Sequence, residues 1–289
     1  MSRSDVWPQE VIDHATRRNL ILLVGAGISA SCSNDKGDSP PNWPKLILDA
    51  AQRIGMGDRL DELKALIAQE RLLEAAELLK LDAATRSRTQ DLFRAMKEAV
   101  DGSYGHLYEG GAWHESIVRA EPKVIVTTNY DKIIERATSS GYTVHEYDSS
   151  SIAADVRRDY PVLLKIHGSV DHVEDMVLSR RDYTDVRHKG AHAMEVLHAL
   201  LLTRPCLLIG YRLHDPDLQL ILENIFGSQT QVPAHYMLVS DEMPDYEREV
   251  LRYSYGVNVI TYPEGEHSVA LEYFDELAAM VAATPPPGI

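Results

Sequence analysis

Residues 20–43 read LILLVGAGISASCSNDKGDSPPNW. Leu20–Val24 is an apolar run with the composition of a buried strand, and Gly25-Ala26-Gly27 follows it directly. Glycines at such a point let the backbone approach a pyrophosphate, and main-chain N–H groups can meet its oxygens. Ala30 fills the third small position of a dinucleotide-binding fingerprint. The rest departs from that fingerprint. Where an apolar helix belongs, the chain runs through Asn34, Asp35, Gly37, Asp38, Pro40 and Pro41. The acidic residue expected to end a second strand is also out of place, because Asp49 sits in a helical pattern. A tight turn that uses glycine only for its own geometry is the alternative reading.

Outward from this stretch, the pattern is mixed. Residues 9–19 read as a short amphipathic helix, and residues 44–120 as a helical block. Within that block PKLILDAAQRI, LDELKALIAQE, RLLEAAELLKL and DLFRAMKEAV carry apolar residues at helical spacing. Strand-sized runs then return at 123–128, 142–147, 161–168, 205–210, 235–240 and 257–262. Helical patterns separate most of them, and a last helix precedes the TPPPGI tail, expected to fray. Short apolar strands alternating with helices imply an α/β fold: a Rossmann-like, mainly parallel sheet with helices on both faces. Ligands of such sheets bind at the carboxyl ends of the strands.

Composition narrows the function classes. The chain has 289 residues, 44% hydrophobic and 25% charged, which suits a packed globular protein. Its formal net charge of -15 disfavours nucleic acid, and the pairs Arg157-Arg158 and Arg180-Arg181 read as solvated surface. Two cysteines, Cys32 and Cys206, exclude a four-cysteine zinc site within the chain. The opening MSRSDVWPQE has no leader-like apolar region and no run reaches membrane-spanning length, so a cytoplasmic protein away from membranes is expected.

Four strand ends carry the informative residues. After the first come Gly25, Ala26, Gly27 and Ser29. After the second come Thr128, Asn129 and Asp131; Asn129 either caps the next helix or positions a hydroxyl, carboxamide or water. After the third, His167-Gly168 either presents an imidazole to a cleft or holds a structural histidine. After the fourth come Gly210, Tyr211, Arg212, Asp215 and Asp217, the two carboxylates reading as helix starters or ribose ligands.

The ordered set GAGIS, TTNYD, KIHGS and LLIGYRLHDPDL resembles the sirtuin superfamily, and more closely the sirtuin-like NAD-hydrolysing domains of bacterial antiviral defence systems. The resemblance runs from about residue 20 to about 225, with VNVITYPEGEHSVALEYFDEL similar to the end of those domains. It implies one sirtuin-like domain over 1–289, with the 44–120 block as a helical insert replacing the small zinc domain. It implies that Gly25, Ala26, Gly27 and Ser29 line the phosphates and ribose of NAD, with residues 31–43 as a cofactor loop. Asn129, Asp131 and His167 become the catalytic residues; Thr128, Gly210, Tyr211 and Asp215 become NAD-binding.

The departures matter as much. The zinc ribbon is missing, TQN is TTN, and GIPDFR is replaced by GDSPPNW. The resemblance therefore implies NAD as substrate, without zinc, cleaved to nicotinamide and ADP-ribose. It further implies self-assembly into a homo-oligomer, or activation by a HerA-type ATPase or another defence partner. The alternatives are a silent module that binds NAD or ADP-ribose, and a zinc-free deacylase.

Overall fold

The computed structural model describes residues 6–213, 215–228 and 233–285. The expectations for the first five residues and for the end of the TPPPGI tail lie outside the described residues. Seven strands form one parallel sheet: β1 (Ile21–Val24), β4 (Val124–Thr127), β5 (Thr143–Glu146), β6 (Val162–Lys165), β7 (Cys206–Ile209), β8 (His235–Ser240) and β9 (Val257–Tyr262). Their spatial order is β5-β6-β4-β1-β7-β8-β9, so β1 is central. Leu22 pairs with Ile125 on one side and with Leu207 on the other.

Burial on both faces explains why these strands are near-continuous apolar runs. Ile21 and Leu23 point to the layer of α9 (Ile152–Arg157), α11 (Ala191–Thr203), α12 (Pro216–Ser228) and α13 (Asp245–Tyr255). Leu22 and Val24 point to the layer of α1 (Gln9–Thr16), α7 (Ala112–Ala120), α8 (Ile133–Ala137) and α14 (His267–Ala283). The alternation has the period of two that a strand imposes. None of the described helices is long and apolar enough to cross a membrane.

The helical block is α3 (Trp43–Arg53), α4 (Leu60–Ala68), α5 (Leu72–Thr85) and α6 (Thr89–Asp101). Asn42 caps α3 by accepting from the Lys45 N–H, and Pro44 sits in its first turn, where a missing N–H costs nothing. These helices enclose their own apolar cluster, which also takes in Val170, Met176 and Leu178 from the segment after β6. The helical expectation did not include the hairpin of β2 (Gly102–Ser103) and β3 (His106–Leu107). Gly102 turns the chain there at φ 90°, and a Cβ on it would lie 2.3 Å from the His106 carbonyl oxygen.

The connections after β1 and β7 diverge, one toward β4 and the other toward β8. That is a topological switch point, where an α/β sheet opens a crevice. Here the two turns interlock. Gly25 N–H donates to the Ile209 carbonyl (2.9 Å) and Gly27 N–H to the Gly210 carbonyl (2.9 Å). A Cβ on Gly25 would stand 2.4 Å from the Gly210 oxygen and 2.5 Å from the Tyr211 ring. A Cβ on Gly210, at φ 61°, would meet Ile28 at 2.7 Å.

Gly25→Ala and Gly210→Ala are therefore expected to lose about 1–3 kcal/mol by overpacking, read from urea unfolding. Gly227→Ala is the contrast, because its Cβ meets nothing within 4 Å at an exposed position near the end of α12. It should gain about 0.5–1 kcal/mol. Equal destabilisation by all three would contradict the interlock.

Burial also gives the stability an acid limb. His114 and His235 are buried, each with an Nε2 that lacks a partner among the described residues. Burial lowers both from 6.5 to about 4, and the charge of Arg136 adds to the effect at His114. The unfolded chain takes up these protons near the ordinary value while the folded one does not. Stability is thus full above 6.5 and falls as pH drops towards about 4. Each histidine contributes up to about 1.4 kcal/mol per pH unit in that window. Urea titrations at pH 7, 6 and 5 should show this slope, shallower in His235→Asn; a flat profile would refute it.

Candidate active site

Four neighbouring strand ends, those of β6, β4, β1 and β7, carry all the expected residues to one end of the sheet. The turn after β1 is the single helical turn α2 (Ala26–Ser29), which leaves Ala26 and Gly27 exposed and Ser29 buried. The Gly25 and Gly27 N–H groups are taken by the turn after β7, so they are engaged within the protein.

Ser29 joins the first two strand ends. Its hydroxyl donates to Asp131 Oδ2 (2.8 Å) and accepts from Asn129 Nδ2 (2.9 Å). Asp131 Oδ1 accepts the Ile133 N–H at the start of α8. Asp131 therefore carries the helix-starting role, and Asn129 is turned away from it. Asn129 is held by its backbone as well: its N–H donates to Thr127 Oγ1, whose hydroxyl donates to the Val24 carbonyl. The Asn129 amide oxygen has no donor among the described residues, leaving it available to a ligand. Burial raises the Asp131 carboxyl, with Lys165, Ser29 and the Ile133 N–H offsetting only part of that.

Beneath this network lies Lys165, the last residue of β6 and fully buried. Its ammonium donates to the carbonyls of Tyr130 (3.2 Å) and Asp131 and pairs with Glu135 Oε1 at 2.9 Å. A buried ammonium persists only when so surrounded. The result is that the Asn129–Asp131 loop is gripped from below by the strand that leads into His167.

His167 is buried, its ring 6.4 Å from that of Tyr130 and edge-on to Tyr183 at 5.3 Å. Its Nε2 lies 2.8 Å from Asp215 Oδ2. The ring N–H is not aligned on that oxygen, so the approach is a close polar contact and not a formed hydrogen bond. Asp215 also accepts from the Tyr183 hydroxyl (2.7 Å) and from the Leu218 N–H (2.9 Å). Burial pushes the Asp215 carboxyl up, but the contact with His167, its charge and these donors outweigh it and leave the group lowered. Tyr211 lies within reach of Thr128 and near Asp215 and Tyr130, and burial raises its phenol. The structure thus brings together Ser29, Asn129 and Asp131, then His167 and Asp215, then Thr128 and Tyr211. Arg212 is exposed, as are Arg180 and Arg181.

The segment 31–42 is pinned to the hairpin. Ser33 bridges Glu109, Asn34 Nδ2 reaches the His106 carbonyl at 3.4 Å, and Asp35 meets His106 Nδ1 at 2.7 Å. Cys32 and Cys206 are free and buried, and among the described residues no cluster of three metal-ligating side chains occurs.

Sequence reasoning missed Tyr183, Tyr130 and Lys165. Tyr183 belongs to α10 (Arg180–Lys189), whose polar sequence hides its helical period. Its one legible sign is the capping box of Ser179 and Asp182. Lys165 had a sign too: a lone ammonium in the apolar run PVLLKI demands a buried partner.

Residues 123–260 match the family described as SIR2-like domain. The match covers a little under half of the chain. It contains Asn129, Asp131, His167 and Asp215; Gly25 to Ser29 lie before it. Among characterised proteins, the chain is 26% identical over 247 residues to the NAD(+) hydrolase ThsA of Bacillus cereus (strain MSX-D12), covering 82% of this chain and 46% of that protein. It is 24% identical over 211 residues to the NAD(+) hydrolase ThsA of Enterococcus faecium, covering 72% and 40%. It is 26% identical over 225 residues to the NAD(+) hydrolase ThsA of Cytobacillus dafuensis, covering 76% and 41%. The chain spans less than half the length of these relatives.

The loop after β4 should depend on the buried pair beneath it. Lys165→Met strands the Glu135 carboxylate and two carbonyls, with an expected loss of about 3–5 kcal/mol in urea unfolding. Lys165→Met with Glu135→Leu should recover part of it. A single variant as stable as the parent would show that the pair does not hold the loop.

Proposed function

We propose that this chain hydrolyses NAD to nicotinamide and ADP-ribose. The observation that carries the reading is the placement of Asn129 and His167 on adjacent strand ends, both buried, with Asn129 bonded to Ser29 and Thr127 and His167 set against Asp215. The three relatives named NAD(+) hydrolase support it.

In this reading the water oxygen forms a bond to the anomeric carbon of the nicotinamide ribose as the carbon–nitrogen bond breaks. Nicotinamide leaves with the bonding pair and becomes neutral, so no strong acid is needed on the leaving group. Positive charge spreads onto the ribose ring in the transition state, as in other glycosidic cleavages. Asn129 orients the ribose or the water through its amide oxygen, and His167 accepts the proton that the water loses. Asp131 acts behind them by holding Ser29 and thereby the Asn129 amide. Ala26 and Gly27, exposed at the switch point beside Gly210 and Tyr211, are where the pyrophosphate lies.

The chain is taken as one domain with a helical insert at residues 44–120, of which α3 to α6 form their own cluster and α7 packs on the sheet layer. Its place is the cytoplasm, as the toxic effector of a bacterial anti-phage system. Activity then requires restraint until a homo-oligomer forms or a partner such as a HerA-type ATPase engages.

Chromatography of products from NAD tests this, with the chain alone and with the protein encoded next to it. His167→Ala and Asn129→Ala should each lower nicotinamide release, on the order of 10²–10⁴-fold for the base. Circular dichroism should be unchanged. His167→Ala consuming NAD at the parent rate would refute the assignment, and cyclic ADP-ribose as the main product would replace hydrolysis by cyclisation.

A further inference from the structure

We propose that Asp215, itself held by Tyr183, is the positioning residue of His167: it keeps the ring proton on Nε2 and leaves Nδ1 as the basic nitrogen. The inference rests on the proposed NAD hydrolysis for its catalytic meaning, and on the geometry alone for the tautomer.

The two ring nitrogens stand in different surroundings. Nε2 is buried and lies 2.8 Å from Asp215 Oδ2. Nδ1 has no hydrogen-bond partner among the described residues. A carboxylate can only accept, so the nitrogen facing it carries the proton. The lone pair is then on Nδ1. The N–H is turned off that oxygen in this structure, and catalytic hydrogen bonds that are poorly aligned without substrate commonly tighten when it binds.

Asp215 is poorly placed to bind a ribose instead. Its Oδ1 accepts the Leu218 N–H, and its Oδ2 serves both Tyr183 and His167. Tyr183 can occupy that place because α10 is tied down on two sides. Asp182 pairs with Lys80 of α5 at 2.5 Å, and Arg187 pairs with Asp217 of α12 at 2.7 Å. The helical block and the turn after β7 thus both bear on the ring of His167. The arrangement matches a general pattern: a base oriented by a carboxylate that never takes part itself.

The test uses the full chain in four forms: parent, Asp215→Asn, Tyr183→Phe, and His167→Ala, the last assigning the imidazole signal. Imidazole ¹⁵N shifts report the tautomer, and kinetics on NAD report kcat and KM. The parent is expected to show the Nε2–H form at His167. Asp215→Asn should lose it and lower kcat on the order of 10²–10⁴-fold, with KM changed less than about threefold. Tyr183→Phe should move both readouts the same way by a smaller amount, and it serves if Asp215→Asn does not fold. In a His167→Ala background, Asp215→Asn should cause no further loss of turnover. An Nδ1–H tautomer in the parent overturns the proposal. So does an Asp215→Asn variant with raised KM and intact kcat, which would make the carboxylate a substrate ligand. If even the parent with its neighbouring protein releases no nicotinamide, NAD hydrolysis falls, while the ¹⁵N signals still decide the positioning role.

Discussion

Everything at the carboxyl end of the sheet depends on how closely two turns approach. Those after β1 and β7 are bonded backbone to backbone, and a single methyl group on Gly25 would overlap the Gly210 carbonyl. The glycines therefore close the protein on itself before they serve any ligand. This sets the position of the crevice. It opens beside the interlock, where Ala26 and Gly27 face outward and Ser29 turns in. Since Ser29 then holds Asn129 and Asp131, the tightness of the turn is transmitted to the second strand end through one hydroxyl.

A second transmission runs from the third strand end to the second. Lys165 ends β6 two residues before His167, yet its ammonium holds the carbonyls of the loop after β4. Asn129 and His167 are thus fixed relative to one another through a charge that neither touches. A neutral side chain there would pack but would offer nothing to those carbonyls, and buried carbonyls without donors are costly. The geometry of the site is a consequence of satisfying buried polar groups.

The fold was legible in the chain because every central strand is an apolar run followed by a turn residue. The four motifs were legible because they sit where such runs stop. What could not be read is the pairing. Ser29 meets Asp131 across a separation of 102 residues, and Asp215 meets Tyr183 across 32. No local pattern encodes those contacts. Helix α10 escaped because only Tyr183 and Val186 of its ten residues are buried, too few to make a stripe. The hairpin at 102–107 escaped because its strands are two residues long. Asp215 was legible as a strand-end carboxylate, but its partner was a histidine 48 positions earlier, which periodicity cannot supply.

The two buried carboxylates separate by environment, and that separation assigns their parts. Asp131 has donors on both oxygens, a hydroxyl and a backbone N–H, and burial still raises it. Neither donor changes its charge during a reaction, so in the proposed reaction Asp131 serves by holding geometry. Asp215 is lowered: burial pushes it up, but His167 lies against it, and the Leu218 N–H and Tyr183 hydroxyl donate to it. In the proposed reaction, the charge that appears when His167 takes a proton is faced by a carboxylate in a buried site, where such an attraction is strongest. In the proposed reaction two aspartates, on turns either side of β1, thus divide the work: one fixes where the amide points, and the other stabilises the charge that His167 acquires.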